Sequence, residues 1–308
     1  MSMAKFRDSS TAKFEPATGA EDAKGHKSDL HDRSIGDIIR EAKNLTPDQL
    51  DAVAAYQREH RVRFGEAAIA LGFATEQDVL SALSKQFHYP YSPEEQHCRF
   101  SDELVVANEP FSQQAEAFRA IRSRLILHRS GGDVSRRAVA VVSPDSGDGK
   151  TFFSANLAVA LSQLGGRTLL VDADLRGPRQ HSIFGMANTT GLSGVLSGRA
   201  EANVIQRVAD LPSLYVLPVG NVPPNPLELF ERPVFGLLMN ELSSKFDYVV
   251  VDTPAAVYGA DASVIASKCG SALVVARRGS SHISSLEDLL SSLAQGKTDV
   301  VGVVMNEY

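Results

Sequence analysis

The chain has 308 residues, 43% of them hydrophobic, which is enough for two ordinary globular domains. Its 31 Lys and Arg against 37 Asp and Glu leave a net charge of −6, so no cationic field invites nucleic acid or anionic lipid. No window approaches the roughly 18 apolar residues of a membrane span, no signal-peptide core opens the chain, and Cys98 and Cys269 have neither metal nor redox spacing, so reduced thiols in a cytoplasm are expected.

Residues 1–33 mix Lys, Asp, Ser, Gly and Glu with few large apolar residues, a composition that cannot offset the entropy of ordering, and they are expected to be a disordered tail. A repeat follows over 34–91. Gly36 and Gly65 are separated by 29 residues, as are Gln57 and Gln86. Thr46 aligns with Thr75, Leu50 with Val79 and Val53 with Ala82, which gives each unit two short helices with an apolar i, i+3, i+4 face. Thr46-Pro47 and Thr75-Glu76 predict an N-cap followed by a first helical turn.

Pro90, Pro93 and Pro110, with polar residues between, predict a connector over 92–114. The next domain, 115–308, begins with a helix that carries Glu116, Arg119 and Arg122 at three-residue steps, within roughly a 120° arc of one face. Two uses of that face stay open: solvated i, i+3 pairing, or an interface with another subunit through arginine forks.

The run Ser143-Pro144-Asp145-Ser146-Gly147-Asp148-Gly149-Lys150-Thr151 lies between an apolar strand and an apolar helix. Such a loop turns backbone N–H groups toward phosphate oxygens, and the helix adds the positive end of its dipole. Lys150 would reach the outer phosphates and Thr151 would ligand Mg²⁺, although Pro144 stands where the usual G-x-x-x-x-G-K-[ST] spacing has its first glycine. Asp145 and Asp148 add negative charge there, which is unfavourable unless their side chains face solvent.

Beyond the loop, 168–176 predicts a buried strand ending at Asp172 and Asp174, and 248–254 a second one ending at Asp252, with Pro254 as its stop. Carboxylates there sit at the carboxyl edge of a parallel sheet, where α/β proteins bind ligands. Asp252 would hold Mg²⁺ through water. Further strands are expected at 214–219, 272–276 and 300–305, so the fold class is α/β, a doubly wound, mainly parallel P-loop NTPase sheet preceded by a small helical repeat domain.

Over 103–308 the chain resembles the bacterial tyrosine kinases (BY-kinases) of exopolysaccharide and capsule export, relatives of the deviant P-loop ATPases that position plasmids and division sites. The motifs carrying this are Glu116-x-x-Arg119-x-x-Arg122, Gly147-Asp148-Gly149-Lys150-Thr151, Asp172-Ala173-Asp174-Leu175-Arg176, Pro223-Pro224-Asn225-Pro226-Leu227-Glu228-Leu229, 246–254 and Gly302-Val303-Val304-Met305-Asn306. The resemblance implies an ATP- and Mg²⁺-dependent tyrosine autokinase that regulates polysaccharide chain length. Lys150, Asp172 and Asp174 would be catalytic, with Asp172 accepting the tyrosine proton unless either aspartate instead positions water. Gly147, Asp148, Gly149, Lys150, Thr151, Phe152 and Asn306 would hold nucleotide. Thr151, Asp174 and Asp252 would hold the metal, and Glu116, Arg119 and Arg122 would mediate oligomerisation.

The family's usual C-terminal tyrosine cluster is reduced to Tyr308, the candidate phosphoacceptor. Positioning ATPases carry a signature lysine where this chain has Asp145, which argues against that class. The family works against an integral-membrane chain-length determinant, here expected as a separate chain, so a homo-oligomer peripheral to the inner membrane through that partner is implied, together with an opposing protein-tyrosine phosphatase. Residues 34–91 resemble the N-terminal domain of secretion and pilus-extension ATPases, and the repeat together with its closing Gln86-Phe87-His88-Tyr89-Pro90-Tyr91 resembles a subgroup of chain-length-determinant-associated kinases. In some of those domains an Arg-Leu-Gly opening approaches cyclic di-GMP. Arg63 and Gly65 would make that contact here, or the glycines serve only tight helix packing in a docking module.

Overall fold

The computed structural model describes residues 34–86, 101–129, 138–199 and 203–307. The chain divides into two compact units, Met1–His88 and Tyr89–Tyr308. The tail expected over 1–33, Cys98 and Tyr308 lie outside the described residues.

The first unit holds α1 (Ile35–Lys43), α2 (Pro47–His60), α3 (Phe64–Ala70) and α4 (Glu76–Gln86), whose starts repeat at the spacing read from the sequence. Capping fixes those starts. Thr46 Oγ1 accepts from Gln49 N at 3.4 Å while Gln49 Oε1 accepts from Thr46 N at 2.9 Å, and Thr75 makes the same reciprocal pair with Asp78. Ile39, Val53, Ala67, Ala68 and Ala82 close the core, and Lys43 Nζ reaches Asp78 Oδ1 at 2.8 Å to tie α1 to α4.

Gly65 has a packing reason: a Cβ there would lie 2.7 Å from Val79 Cγ1. Val79 is β-branched and cannot swing away freely. Gly65→Ala is therefore expected to destabilise this unit by about 1–3 kcal/mol, read as faster amide hydrogen exchange across 34–86 with exchange in the second unit unchanged.

The second unit is a seven-stranded sheet of order β3-β4-β2-β5-β1-β6-β7. Its strands are β1 (Ala138–Val142), β2 (Thr168–Asp172), β3 (Gln206–Arg207), β4 (Leu214–Leu217), β5 (Tyr248–Asp252), β6 (Ser271–Arg277) and β7 (Asp299–Asn306). All pairings are parallel except β3 with β4. The helices are α5 (Val105–Asn108), α6 (Gln113–Arg129), α7 (Lys150–Ser162), α8 (Gln180–Ile183), α9 (Leu192–Leu196), α10 (Pro226–Glu231), α11 (Pro233–Lys245), α12 (Asp261–Cys269) and α13 (Ile283–Gln295).

Alternation along β1 and β5 feeds two cores, as the period of two requires. Val139, Val141 and Val250 pack with α7 on one face; Ala138, Ala140, Val249 and Val251 pack with α12 on the other. Buried on both faces, these strands read as unbroken apolar runs. From β1 the chain goes on to β2, toward one edge, and from β5 it crosses β1 to reach β6, toward the other. That reversal opens a crevice at their carboxyl ends.

The connector expected over 92–114 is corrected on its C-terminal side. Leu104, Val106 and Ala107 are buried, Val106 N donates to Asn156 Oδ1 at 3.0 Å, and Asn156 Nδ2 donates to Glu103 O at 2.8 Å. The apolar residues Leu104, Val106 and Ala107 ahead of Pro110 belong to the core.

Candidate nucleotide and phosphoryl-transfer site

The loop 143–149 joins β1 to α7, and its two positive φ angles fall at Gly147 (87°) and Gly149 (96°). Only glycine adopts such angles without strain. Position 144 makes no such demand, which is why a proline stands there. The Pro144 carbonyl accepts from Val257 N at 3.0 Å, and the Ser143 carbonyl from Ala256 N at 2.9 Å, so the 3-10 turn Ala256–Tyr258 is clamped to the loop.

Lys150 is 7% exposed, with Nζ 2.9 Å from Ser143 Oγ. Burial pushes its ammonium below the usual lysine range, against the pull of Asp252, Asp174 and Asp148. A desolvated cation poised among carboxylates is ready to take phosphate oxygens.

Asp148 differs from the solvent-facing side chain expected. It is buried, and its carboxylate accepts from Asp145 N and from Ser281 Oγ, each at 2.9 Å. Asn306 Nδ2 donates to the Asp148 carbonyl at 3.0 Å, tying the end of β7 to the loop. Asp148 thus anchors the loop through Asp145 and Ser281, and it is not among the residues that line the cavity.

Asp172 and Asp252 are paired across β2 and β5, so their side chains share one face at adjacent strand ends. Both are fully buried. Burial pushes Asp252 up to about 6, opposed by hydrogen bonds from Gln180 and Thr151 and by Lys150. Burial and the neighbouring Asp252 charge push Asp172 well above the ordinary carboxylate range. Asp172 Oδ1 accepts from Asp174 N at 3.2 Å and its Oδ2 from Gln180 N at 3.1 Å.

Asp172 is 0% exposed, and through Oδ1 it holds the loop that carries Asp174. Asp174 lines the cavity. Its Oδ1 accepts from Arg176 N and Gly177 N at 3.1 and 3.0 Å.

One cavity of about 1010 Å³ collects Gly147, Gly149, Lys150, Thr151, Phe152, Asp174 and Asn306, all named from sequence. Arg176, which ends the Asp172-Ala173-Asp174-Leu175-Arg176 motif, lines it too, as do Arg179 and Tyr258, which were not among the expected site residues. Arg176 reaches the buried Asp261 through two bonds of 3.2 and 3.0 Å, and Arg179 pairs with Glu103 at 2.5 Å. Gln180 was also missed: a glutamine eight residues past Asp172 has no local pattern to announce it.

Glu116, Arg119 and Arg122 are engaged within the chain. Arg119 Nε pairs with Glu116 Oε2 and its Nη1 with the Pro110 carbonyl, while Arg122 Nη1 donates to the Ala160 carbonyl of α7, each at 2.7 Å. Among the described residues no cluster of three or more His, Cys, Asp or Glu forms a metal site. The Thr151 hydroxyl and the Asp174 carboxylate line the cavity, whereas Asp252 is fully buried and is not among its lining residues; together they form a hard oxygen set that suits Mg²⁺ completed by phosphate and water. The buried, unpartnered Gln180 Oε1 beside Asp252 fits the same ion. No described helix is long and apolar enough to cross a membrane.

The family model described as the CobQ/CobB/MinD/ParA nucleotide binding domain matches residues 139–308. The tyrosine-protein kinase wzc of Salmonella typhi is 33% identical over 204 residues, which are 66% of this chain and 28% of that protein, so the chain spans under a third of that relative. The putative tyrosine-protein kinase CapB of Staphylococcus aureus is 33% identical over 207 residues, 66% of this chain and 89% of that protein. The kinase domain of Escherichia coli tyrosine kinase ETK superposes with a TM-score of 0.63 at 31% identity, covering 69% of this chain and 83% of that one. The chain belongs to the bacterial tyrosine-kinase family, built on a CobQ/CobB/MinD/ParA nucleotide binding domain.

Proposed function

We propose that the protein is an ATP- and Mg²⁺-dependent tyrosine autokinase that regulates polysaccharide chain length and export. The observation that carries this is the single cavity in which the phosphate loop, Lys150 and Asp174 meet, in a chain whose relatives are named tyrosine-protein kinases. Lys150 and the loop amides hold the β- and γ-phosphates of ATP, and Thr151, Asp174 and Asp252 hold Mg²⁺. The ion would supply charge neutralisation there, the main demand of a loose phosphoryl-transfer transition state. The acceptor phenol oxygen bonds to the γ-phosphorus as the β–γ bridging P–O bond breaks. Asp172, at the strand end beside Asp252, is the candidate to take the phenolic proton, and ADP leaves.

Tyr308 is the proposed acceptor. After incubation with ATP and Mg²⁺, Tyr308→Phe is expected to lose most of the phosphotyrosine that mass spectrometry finds in the wild type. Label that survives would move the acceptor first to Tyr258, which is 52% exposed and lines the same cavity.

A second reading is a nucleotide switch whose output is assembly; it rests on the resemblance carried by Glu116, Arg119 and Arg122, whose described bonds are made within the chain. ATP-dependent oligomers without phosphotyrosine would select it. An integral-membrane chain-length determinant as activator and an opposing phosphatase belong to the first reading, as does placement at the inner membrane through that activator. For residues 34–91, likeness to secretion-ATPase N-terminal domains supports docking. Cyclic di-GMP binding would rest on the exposed Arg63 alone, since packing against Val79 accounts for Gly65; calorimetry on the full chain decides it.

A further inference from the structure

Gln180 is 0% exposed and opens α8. Its Nε2 donates to the Thr151 carbonyl at 3.1 Å and to Asp252 Oδ2 at 2.8 Å. Its backbone N–H donates to Asp172 Oδ2 at 3.1 Å. One residue therefore bridges the start of α7, the end of β5 and the end of β2. Two acceptors around Nε2 fix the amide's orientation, because the reversed group would set its oxygen against a carboxylate and a carbonyl.

With that orientation fixed, Oε1 is left as a buried acceptor without a donor among the described residues. An amide oxygen stranded in this way costs about 1–3 kcal/mol unless something donates to it. Among the described residues no group donates to it, while two of its neighbours, Thr151 and Asp252, carry the oxygens expected to hold Mg²⁺. Protein-bound Mg²⁺ keeps several of its waters, and those waters are strong donors.

We propose that Gln180 is a positioning residue for phosphoryl transfer: it orients Asp252 and the start of α7 through Nε2 and receives a water of the Mg²⁺ shell at Oε1. It touches neither nucleotide nor acceptor. The inference rests on the Mg²⁺-nucleotide reading above and adds a residue to it. Groups that orient metal ligands in this way commonly change metal affinity or activity by about 10–100-fold when removed.

The test is binding of a fluorescent ATP analogue to the full chain across a Mg²⁺ titration, with ADP release measured in parallel. In Gln180→Met, close in volume but without donor or acceptor, half-saturating Mg²⁺ is expected to rise about 10-fold or more and turnover to fall by a similar factor. Analogue binding without Mg²⁺ and KM for ATP should stay near wild type, because the phosphate loop is untouched. A role confined to folding would lower thermal stability and leave the Mg²⁺ dependence alone. If Gln180→Met does not fold, Gln180→Asn replaces it: both polar functions remain, but the side chain is too short to span Thr151 and Asp252 together. Its Mg²⁺ requirement should rise about threefold or more.

Folded variants with the wild-type Mg²⁺ dependence would overturn the role of Gln180 and leave the autokinase reading standing. A wild type whose nucleotide binding ignores Mg²⁺ would overturn both.

Discussion

Lys150→Met is expected to abolish phosphotyrosine and to cut ATP turnover by about 100–1,000-fold, the usual cost of losing a charged group aimed at developing negative charge. The ammonium is nearly buried and surrounded by Asp252, Asp174 and Asp148, and burial favours its neutral form. Phosphate oxygens reverse that balance by supplying the anions that bulk water no longer hydrates. Methionine matches the length of the stem and removes only the charge.

The fold should survive the change. The described acceptors of Nζ are Ser143 Oγ and, at 3.5 Å, the Asp145 carbonyl, and that carbonyl also accepts from Ser143 Oγ at 2.7 Å. Neither is stranded when the ammonium goes. Mass spectrometry of protein purified from its own host checks the outcome, with thermal unfolding as the control. Phosphotyrosine persisting in a folded Lys150→Met would mean that another kinase installs it, and the autokinase reading would end there.

What the sequence carried about this site was whatever is encoded over a few neighbouring residues. The loop at 143–151 and the aspartates closing β2 and β5 were readable because an apolar run followed at once by glycines or carboxylates is a local pattern. The same holds for the N-terminal repeat, where Thr46 and Thr75 cap helices three residues from their partners. Strand β3 was missed, since Gln206 and Arg207 form no apolar run and pair only by lying beside β4.

Long-range partners were hidden for a related reason. Asp148 looked like a charge in front of phosphate because its partners Ser281 and Asn306 lie 133 and 158 residues away. Gln180 meets Asp252 across 72 residues, and Arg176 meets Asp261 across 85. Each of these contacts exists only because the sheet order brings β2, β5 and β1 together, and that order depends on packing of the whole unit. Residues 101–114 failed as a connector on the same ground: Pro110 is visible locally, whereas the bond from Val106 to Asn156 is not.

Asp252→Asn is expected to stabilise the metal-free protein at neutral pH while destroying its activity. Burial raises the Asp252 pKa from its ordinary 3.8 to about 6. A carboxyl raised in this way contributes stability that is fully present below pH 3.8 and is lost as pH rises through about 6. At pH 7.5 the ionised group therefore strains the ligand-free fold beside Asp172, and removing its charge should recover about 1–3 kcal/mol. Hydrogen bonding survives the exchange. The new amide oxygen can accept from Gln180 Nε2, and the new amide nitrogen can donate to Ser154 Oγ, whose own proton is given to the Lys150 carbonyl at 2.8 Å. In a unit of this size each kcal/mol moves the unfolding midpoint by about 2–4 °C. The gain should be present at pH 7.5 and vanish near pH 4, where the wild-type group is itself neutral. Adding Mg²⁺ and ATP should invert the order, because the wild type is stabilised by ligand in proportion to the logarithm of its saturation and the variant is not. A variant less stable than wild type at pH 7.5 without ligand would mean that Gln180, Thr151 and Lys150 hold Asp252 comfortably ionised, and that the site is prepared for its metal without strain.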